Sequence, residues 1–528
     1  MKPGAASLLA ALALAGAALA TVPARATGFE ELGGELGDRV DRHVLWNGTF
    51  RLRGALFSNL DLDRGPTPSG QLLFPVPLSD PNAQTLTHAD MRLRSDLTFV
   101  APNGGIAVKL RLDVLDGVTL GSAPDGPPSA ATGQSPGSAA IAIKRAWAET
   151  LTPFGVLAAG RMGSGWGLGI LTNGGDCFDC DSGDAADRVA FATPLLGLIW
   201  AVALDFTAIG PTTERRGGTH AVDLDPADDV WTFTFALLRY HDARAHTRRK
   251  AAGKLTFDAG AYLSHRWQDK DVPAEYTPVA VDVPLTQRQV VTRGFTATAV
   301  DAWVRVTHPD FEVEAEGVVL FGGYDQATLV PGALLRDEVT ASQWGFALES
   351  RFGDGARGLS GGLNVGAASG DPAYGFGVQQ PLGSSAPARG DLDGPQASLP
   401  GDARFDNLRF HPDYRVDQIL FREILGTITD AAYLRPHGRV VVTDFLAGEL
   451  VMDLALVASM ALEKTSTPGQ AQALGVELDP SVSYRSEDGF RVDLDYAVLF
   501  PLAGLDNPDL GLGAKPAQLW RLRLGYLF

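Results

Sequence analysis

Apolar and ionisable residues alternate along segments of about ten residues, and this period of two limits the possible folds more than any other feature. Between residues 106 and 114 the apolar positions are Ile106, Val108, Leu110, Leu112 and Val114, and the ionisable ones are Lys109, Arg111 and Asp113. Each such segment is predicted to be a strand with one apolar and one ionisable face. A soluble sandwich shows the same local alternation, so this pattern alone does not separate a protein core from a bilayer.

The connections between these segments alternate in length. Short turns such as 101–104 alternate with long polar stretches such as 370–429. A transmembrane barrel has short periplasmic turns, long extracellular loops and an even number of strands. The sequence therefore predicts an all-β fold, a transmembrane antiparallel β-barrel of about 18 strands. About 16 strands is the alternative, because 430–444 is a weak strand and 241–253 is a long connection for its place.

The first 26 residues have the character of an export signal. Lys2 precedes an apolar stretch over 5–20, and an Ala-x-Ala sequence ends just before Thr27. No later stretch reaches the roughly 18 consecutive apolar residues of a membrane-spanning helix. We expect a signal peptide over 1–26, an N-terminal periplasmic or lumenal segment over 27–44, and a barrel over 45–528 in the outer membrane.

Composition and motifs argue against several other classes of protein. The 528 residues are 45% hydrophobic and 20% charged, unlike a disordered chain, and the net charge of −18 argues against nucleic acid as a partner. Gly358, Ser360 and Gly362 match a Gly-x-Ser-x-Gly motif, but they lie at a turn entering a strand and not at a strand-to-helix elbow. The nine histidines show no metal-ligand spacing on one element. We therefore expect a protein that is not an enzyme.

Charged residues are predicted to line the lumen, since side chains cannot fill a barrel of about 18 strands. The first three strands carry a basic wall of Arg51, Arg53, Arg92, Arg94, Lys109 and Arg111. The acidic loop over 164–187 and a later strand carry Asp176, Asp179, Asp181, Asp184, Asp187, Glu312, Glu314 and Glu316. An inward-folded acidic loop facing a basic wall predicts a charged constriction with a slight preference for cations. The alternative is that the arginines pair with neighbouring carboxylates and the loop lies outside.

The acidic loop also contains the two cysteines of the chain, Cys177 and Cys180. In the oxidising cell envelope, a local disulfide that stiffens the loop is the favoured interpretation. Asp179, Asp181 and Asp184 surround a glycine turn and present oxygen ligands of the kind calcium prefers, although the bidentate Glu of a helix-loop-helix site is missing. Calcium is therefore an alternative, and no other cofactor is expected.

The long loop over 370–429 contains apolar residues at helical spacing. These are Val416, Ile419, Leu420 and Ile424. The spacing predicts an amphipathic helix over 414–426 that partly obstructs the pore. Aromatic residues near strand ends favour the bilayer interface, which predicts outward positions for Trp147, Trp200, Trp231 and Trp344.

Several stretches carry resemblances to known families. The C-terminal strand has Trp520, Leu522, Leu524, Tyr526 and Phe528 on one face and resembles the assembly signal of bacterial outer-membrane barrels. Residues 143–155, with 159–162, resemble the strand, turn and strand before the constriction loop of general porins. Gly48–Arg53, Asp176–Asp187 and Phe410–Asp417 make the chain similar to an uncharacterised family of predicted outer-membrane proteins best represented in myxobacteria.

The water-filled lumen of a barrel of about 18 strands predicts a porin-like channel for passive diffusion of ions or small hydrophilic solutes, and the resemblances imply the barrel and its location. They imply contact with outer-membrane lipids and the barrel assembly machinery, and they leave a homotrimer open. The alternative function is a structural or surface-interaction barrel whose lumen is closed by loops.

Overall fold

A computed structural model describes most of the chain after the predicted signal peptide, which itself lies outside the described residues. The described ranges are 43–80, 83–119, 141–208, 228–272, 290–328, 337–353, 358–379, 386–394, 401–444 and 446–528, with residues 28–29, 32–34, 36, 210, 330, 333–335, 397 and 399. Within these ranges no helix is both long and apolar enough to span a membrane.

The described residues form 18 strands. They are β1 (Val44–Ser58), β2 (Thr85–Val100), β3 (Ile106–Thr119), β4 (Ile141–Thr152), β5 (Gly155–Gly163), β6 (Ala185–Leu195), β7 (Leu198–Thr207), β8 (Val230–Arg239), β9 (Thr256–Asp271), β10 (Val291–His308), β11 (Phe311–Tyr324), β12 (Val339–Phe352), β13 (Leu359–Ala368), β14 (Ala431–Asp444), β15 (Gly448–Ala461), β16 (Ala473–Ser486), β17 (Phe490–Pro501) and β18 (Ala517–Leu527). One α-helix, α1 (Ala243–Ala251), joins β8 to β9, and short turns of π-helix (Leu420–Ile424) and 3₁₀-helix (Ala503–Leu505) lie in connections.

The strands close into one antiparallel barrel. Each strand pairs with the next in sequence, and β18 pairs with β1 in a register that places Leu524 opposite Leu52. Closure leaves no open sheet edge, so backbone N–H and C=O groups can be paired within the wall. The predicted barrel of 18 strands is confirmed, and β14, the strand with the weakest sequence pattern, pairs with both β13 and β15.

Strand alternation places apolar side chains on the outside of the barrel. Trp46, Ile143 and Leu359 are 62%, 60% and 74% exposed on this outer surface. A closed barrel with such a surface buries it in hydrocarbon, so the chain is a transmembrane barrel of the outer membrane.

The position predicted for Trp147 is wrong, because its side chain faces the lumen. Its Nε1 donates to Oε1 of Glu149 at 2.8 Å, and Lys109 lies 5.6 Å from its ring centre. The pairing of β3 with β4 skips Lys144, and this bulge reverses which residues of β4 face outward. Four other tryptophans face outward, because each lies on the same side of its strand as exposed apolar residues. They are Trp200, Trp231, Trp344 and Trp520.

The short connections lie at one end of the barrel. Because transmembrane barrels have short turns on the periplasmic side, this is the periplasmic end. For example, β6 and β7 are joined there by only two residues, 196–197, and β10 and β11 by 309–310. From the opposite end, 164–184 and 401–430 fold back into the barrel, where Phe410, Tyr414 and Phe421 are buried against the inner wall. The main apolar cluster therefore lies inside the barrel, on one side of the lumen.

Candidate lumen constriction

The connection between β5 and β6, residues 164–184, crosses the lumen towards β17 and β18. The ring of Phe178 lies so close to Gly525 on the inner face of β18 that an added Cβ would be 2.3 Å from its Cζ. The guanidinium of Arg491 lies 5.0 Å from the centre of the same ring. The loop is therefore held on the inside of the wall.

A disulfide between Cys177 and Cys180 closes a short turn at the tip of this loop. The turn directs backbone carbonyl groups at the basic wall. The carbonyl of Cys180 accepts from Nη1 of Arg92 at 2.6 Å, and that of Phe178 accepts from Nη1 of Arg51 at 3.4 Å. The loop is thus bound to the wall through backbone groups as well as through carboxylates.

Asp179, inside the disulfide turn, lies at the centre of a group of arginines. Its carboxylate oxygens lie 2.6 Å from Arg422, 2.9 Å from Arg523, 3.0 Å from Arg53, 3.5 Å from Arg415 and 3.8 Å from Arg51. Burial alone would raise the pKa of Asp179, but these guanidinium groups, led by Arg422 and Arg523, hold it well below its usual range. Asp179 is therefore an ion-pair centre and not a free charge facing open water.

Asp181 and Asp176 are paired in the same way. Oδ1 of Asp181 lies 2.8 Å from Arg51, and Oδ2 lies 3.0 Å from Arg415. Burial opposes ionisation of Asp181, but Arg53 and Arg51 lower its pKa. Asp176 contacts Arg111, and its Oδ1 lies 3.2 Å from Nη1 of Arg145.

Five of the six residues predicted as the basic wall contact this loop. They are Arg51, Arg53, Arg92, Arg94 and Arg111. Arg94 bridges the wall and the loop, because its Nη2 lies 2.7 Å from Asp113 and its Nη1 donates to the carbonyl of Gly175 at 2.6 Å. Lys109 also faces inward but is paired with Glu149 at 3.1 Å, away from the loop.

The prediction that Asp187 belongs to the inward loop is wrong, although the residue borders the open space beside that loop. The loop ends at residue 184, and Asp187 belongs to β6, where alternation places it on the outer face with Val189. There it pairs with Arg161 at 2.7 Å, and the two side chains are 47% and 54% exposed. Asp184, still in the loop, lies 3.5 Å from Nε2 of His411.

The carboxylates proposed as calcium ligands, Asp179, Asp181 and Asp184, do not converge on a common point suited to a cation. The first two face arginines, as described above. In the part of the chain that the structure describes, no group of three His, Cys, Asp or Glu side chains could hold a metal ion. The calcium interpretation gains no support from this geometry.

The acidic residues of β11 face inward and have partners on neighbouring elements. Glu312 lies 2.6 Å from Arg351, and Oε1 of Glu314 accepts from Nε1 of Trp303 at 2.8 Å. Oε2 of Glu316 accepts from the backbone N–H of Gly169 at 2.9 Å. Glu316 therefore anchors the first part of the inward loop on the side opposite Asp179.

The second inward segment, 401–430, supplies cations that the sequence analysis missed. Arg415 and Arg422 contact Asp179 from this segment, and Arg521 and Arg523 face inward from β18. The last two alternate with the apolar residues of the C-terminal strand, so the same period of two could have found them. Arg415 and Arg422 have no such signal, because their segment is not a strand.

The helix predicted over 414–426 is wrong in extent, since only Leu420–Ile424 form a turn of π-helix. Buried carboxylates accept hydrogen bonds from backbone N–H groups before and within this turn. Oε1 of Glu477 accepts from Gln418 and Ile419, both at 2.8 Å, and Asp417 accepts from Phe421 at 2.9 Å. The two hydrogen bonds to Glu477 hold the segment against β16.

Open space remains beside the inward loop, along β6 to β10. One cavity of about 730 Å³ is bordered by Lys144, Arg161 and Asp181, and another of about 440 Å³ by Trp166, Tyr262 and Phe295. Both are bordered by Ala185, Ala186, Asp205, Thr232 and Arg266, so they adjoin each other. Asp205 is paired with Arg188 at 2.7 Å. Arg266 is exposed and has no ion pair or hydrogen bond among the described residues.

No protein-family model and no curated protein matches the chain. Solved outer-membrane barrels are similar along most of it. OccK11 (OpdR) of Pseudomonas aeruginosa is 11% identical, covers 93% of this chain and 99% of its own, and has a TM-score of 0.45. The outer membrane protein OpdK of the same species is 12% identical over 92% and 98%, with a TM-score of 0.45. A BenF-like porin from Pseudomonas fluorescens is 9% identical over 94% and 100%, with a TM-score of 0.44.

Proposed function

We propose that the barrel is a passive channel for ions and small hydrophilic solutes, narrowed by the loop over 164–184. The observation that carries this proposal is the pair of adjoining cavities beside the loop, with charged and hydroxyl side chains at their border. A water-filled lumen of this kind is expected in a barrel of 18 strands, whose side chains cannot fill the interior. No catalytic role is part of this proposal.

The charges of the constriction are proposed to act mainly as a scaffold. Asp179 and Asp181 are within ion-pair distance of several arginines, so each contributes little net field to the open space. Asp184 is partly exposed, and Arg266 has no described partner. The slight cation preference expected from the sequence then depends on a balance between a few free charges. We propose that the positive charge of Arg266 opposes this preference for cations.

The test is single-channel recording of the folded protein in a planar bilayer with a salt gradient. The channel proposal expects stable conductance steps. Arg266→Gln should shift the reversal potential towards cation preference, because it removes from the cavity border a positive charge that has no ion pair among the described residues. Arg389→Gln is the control, since that arginine is exposed, is paired with Asp509 at 3.0 Å, borders neither cavity and should leave the potential unchanged.

A second candidate function is a structural or surface-interaction barrel with a closed lumen. It is favoured by the apolar packing of Phe410, Tyr414 and Phe421 inside the barrel. Silence in the bilayer from protein that keeps its heat-modifiable gel mobility would support this candidate. Small solutes would then fail to enter vesicles that contain the protein.

The proposal includes assembly through the C-terminal strand. Trp520 and Tyr526 face outward there, and Phe528 packs edge-on against Trp46 at 5.2 Å between ring centres. Deletion of Phe528 should reduce insertion by the barrel assembly machinery, measured as folded protein in outer-membrane fractions. The homotrimer that the resemblance to porins leaves open is tested by cross-linking in the same membranes.

A further inference from the structure

The sequence predicts a periplasmic or lumenal segment before β1, and the described part of this segment contacts the inner wall of the barrel. The backbone N–H of Gly33 donates to Oε2 of Glu149 at 2.9 Å, and Oε1 of the same carboxylate accepts from Trp147. Gly28 packs so closely against the backbone of Gly165, at the start of the inward loop, that a side chain would not fit there. We call residues 28–29, 32–34 and 36 the lumenal strap.

Phe29 is the buried anchor of the lumenal strap. Its side chain is 7% exposed and belongs to an apolar cluster that includes Met162 on the inner face of β5. The guanidinium of Arg188, on the inner face of β6, lies 5.6 Å from the centre of its ring. Leu32 packs against the same cluster. The strap is therefore held by apolar packing as well as by its backbone hydrogen bond.

The inner wall of β5 to β8 carries small side chains in the cluster that contains Phe29. Six buried alanines occupy inward positions there. They are Ala158, Ala190, Ala192, Ala201, Ala203 and Ala236. Methyl groups on the wall of an open lumen would meet water, so their burial means that other groups cover them. Since protein interiors are closely packed, a wall of alanines leaves space that a bulky side chain such as Phe29 fills.

Phe29 also lies at the edge of the open space in the lumen. The cavity of about 440 Å³ described above is bordered by Gly28 and Phe29, together with Asp205 and Arg266. The phenyl ring thus belongs both to the packed cluster and to the border of the cavity. Its size affects how much of the lumen stays open.

We propose that Phe29 determines the width of the permeable path, because the lumenal strap fills the part of the lumen beside β5 to β8. This inference rests on the proposed channel function. Truncating a buried side chain leaves a cavity, since the surroundings relax only in part. Here that cavity would adjoin the open space and enlarge it.

The experiment records single channels from folded protein isolated from outer membranes, and it measures the entry of sugars of graded size into vesicles containing the protein. Conductance should rise from the wild type to Phe29→Leu and again to Phe29→Ala, and the largest sugar admitted should increase in the same order. Phe154→Ala is the matched control. It removes the same atoms from a side chain that is 80% exposed in the turn between β4 and β5, so it should conduct like the wild type.

A disulfide tests the position of the lumenal strap independently of conduction. A Cβ added at Gly33 would lie 3.7 Å from the Cβ of Val156, within the range of about 3.5–4.5 Å found in disulfides. Gly33→Cys with Val156→Cys should therefore leave no free thiol when the protein is unfolded for thiol counting, and the cross-linked channel should conduct like the wild type. Gly33→Cys with Val189→Cys is the control, because Val189 faces outward and both added thiols should stay free.

The outcomes separate this inference from the channel proposal. Equal conductance of Phe29→Ala and Phe154→Ala would overturn the inference and leave the channel proposal standing. Free thiols in Gly33→Cys with Val156→Cys, or a cross-linked channel that stays silent, would also overturn the inference alone. Silence of the wild type and of every variant would overturn both. If Phe29→Ala does not fold, Phe29→Leu provides the same comparison.

Discussion

Replacing Asp179 by Asn tests whether the inward loop is held by its ion pairs. The change keeps the shape of the side chain but removes a charge that lies within 3.8 Å of five arginines. Breaking a buried ion pair by removing one partner costs about 3–5 kcal/mol. We expect about 3 kcal/mol, the lower end, because Arg53 and Arg523 keep the second carboxylates Asp90 and Asp495.

Two measurements follow from this substitution. The free energy of unfolding should fall by that amount in denaturant titrations of the detergent-solubilised barrel. The reversal potential should shift towards anion preference, because the arginines lose a negative charge that offsets part of their positive charge. Since the arginines hold the pKa of Asp179 below its ordinary value of about 3.8, its stabilising effect is present above that pH and is lost as the pH falls further. The difference between variant and wild type should thus be constant from about pH 5 to pH 8 and shrink below about pH 4.

Asp187→Asn is the matched control, with the same change of atoms and charge in the neighbouring strand. Its pair with Arg161 is exposed on the outer face, where an ion pair contributes about 0–1 kcal/mol. It should leave the stability nearly unchanged. Asp509→Asn, whose pair with Arg389 is exposed and borders neither cavity, is the control that should leave the reversal potential nearly unchanged. The reasoning would be refuted if Asp179→Asn behaved like these controls, or if its effect on stability did not fade in acid.

Two other substitutions give separate predictions. Replacing Cys177 and Cys180 by Ser should cost about 2 kcal/mol in the free energy of unfolding, because the disulfide closes only a short loop, and it should increase current noise in single-channel records. Asp430, just before β14, is fully buried, and its burial raises its pKa to about 7 despite hydrogen bonds from Ser466 and Glu463. An acid with a raised pKa loses stabilising effect as the pH rises from about 4 to 7, so Asp430→Asn should gain at least about 1 kcal/mol at pH 8 and nothing near pH 3. Thermal unfolding of both proteins across this range is the measurement, and an equal gain at both pH values would contradict it.

The fold could be predicted from the sequence because every strand repeats the same local rule. A period of two fixes which face meets lipid, and connection lengths fix which end carries the loops. β14 is the instructive case, since Pro436 and Gly438 weaken its pattern. It forms because β13 and β15 pair with it on both sides, which is information that no single segment holds.

The contacts of the constriction could be predicted only in part. The basic wall follows from alternation, so Arg51 and Arg92 were found, whereas Arg415 and Arg422 reach Asp179 from a segment more than 200 residues away in sequence. Loop boundaries matter as well, because one strand that begins earlier than expected places Asp187 on the outer face. A local sequence pattern does not indicate how two inward segments pack against each other.

The central claim is that a permeable path remains beside the inward loop. Single-channel conductance of the wild-type protein in a planar bilayer, with folding verified by heat-modifiable gel mobility, tests it most directly. The account predicts stable conductance steps and a reversal potential close to zero in a salt gradient, because the charges of the constriction are largely paired. Persistent silence from folded protein, together with exclusion of small solutes from vesicles, would contradict it and indicate a closed barrel.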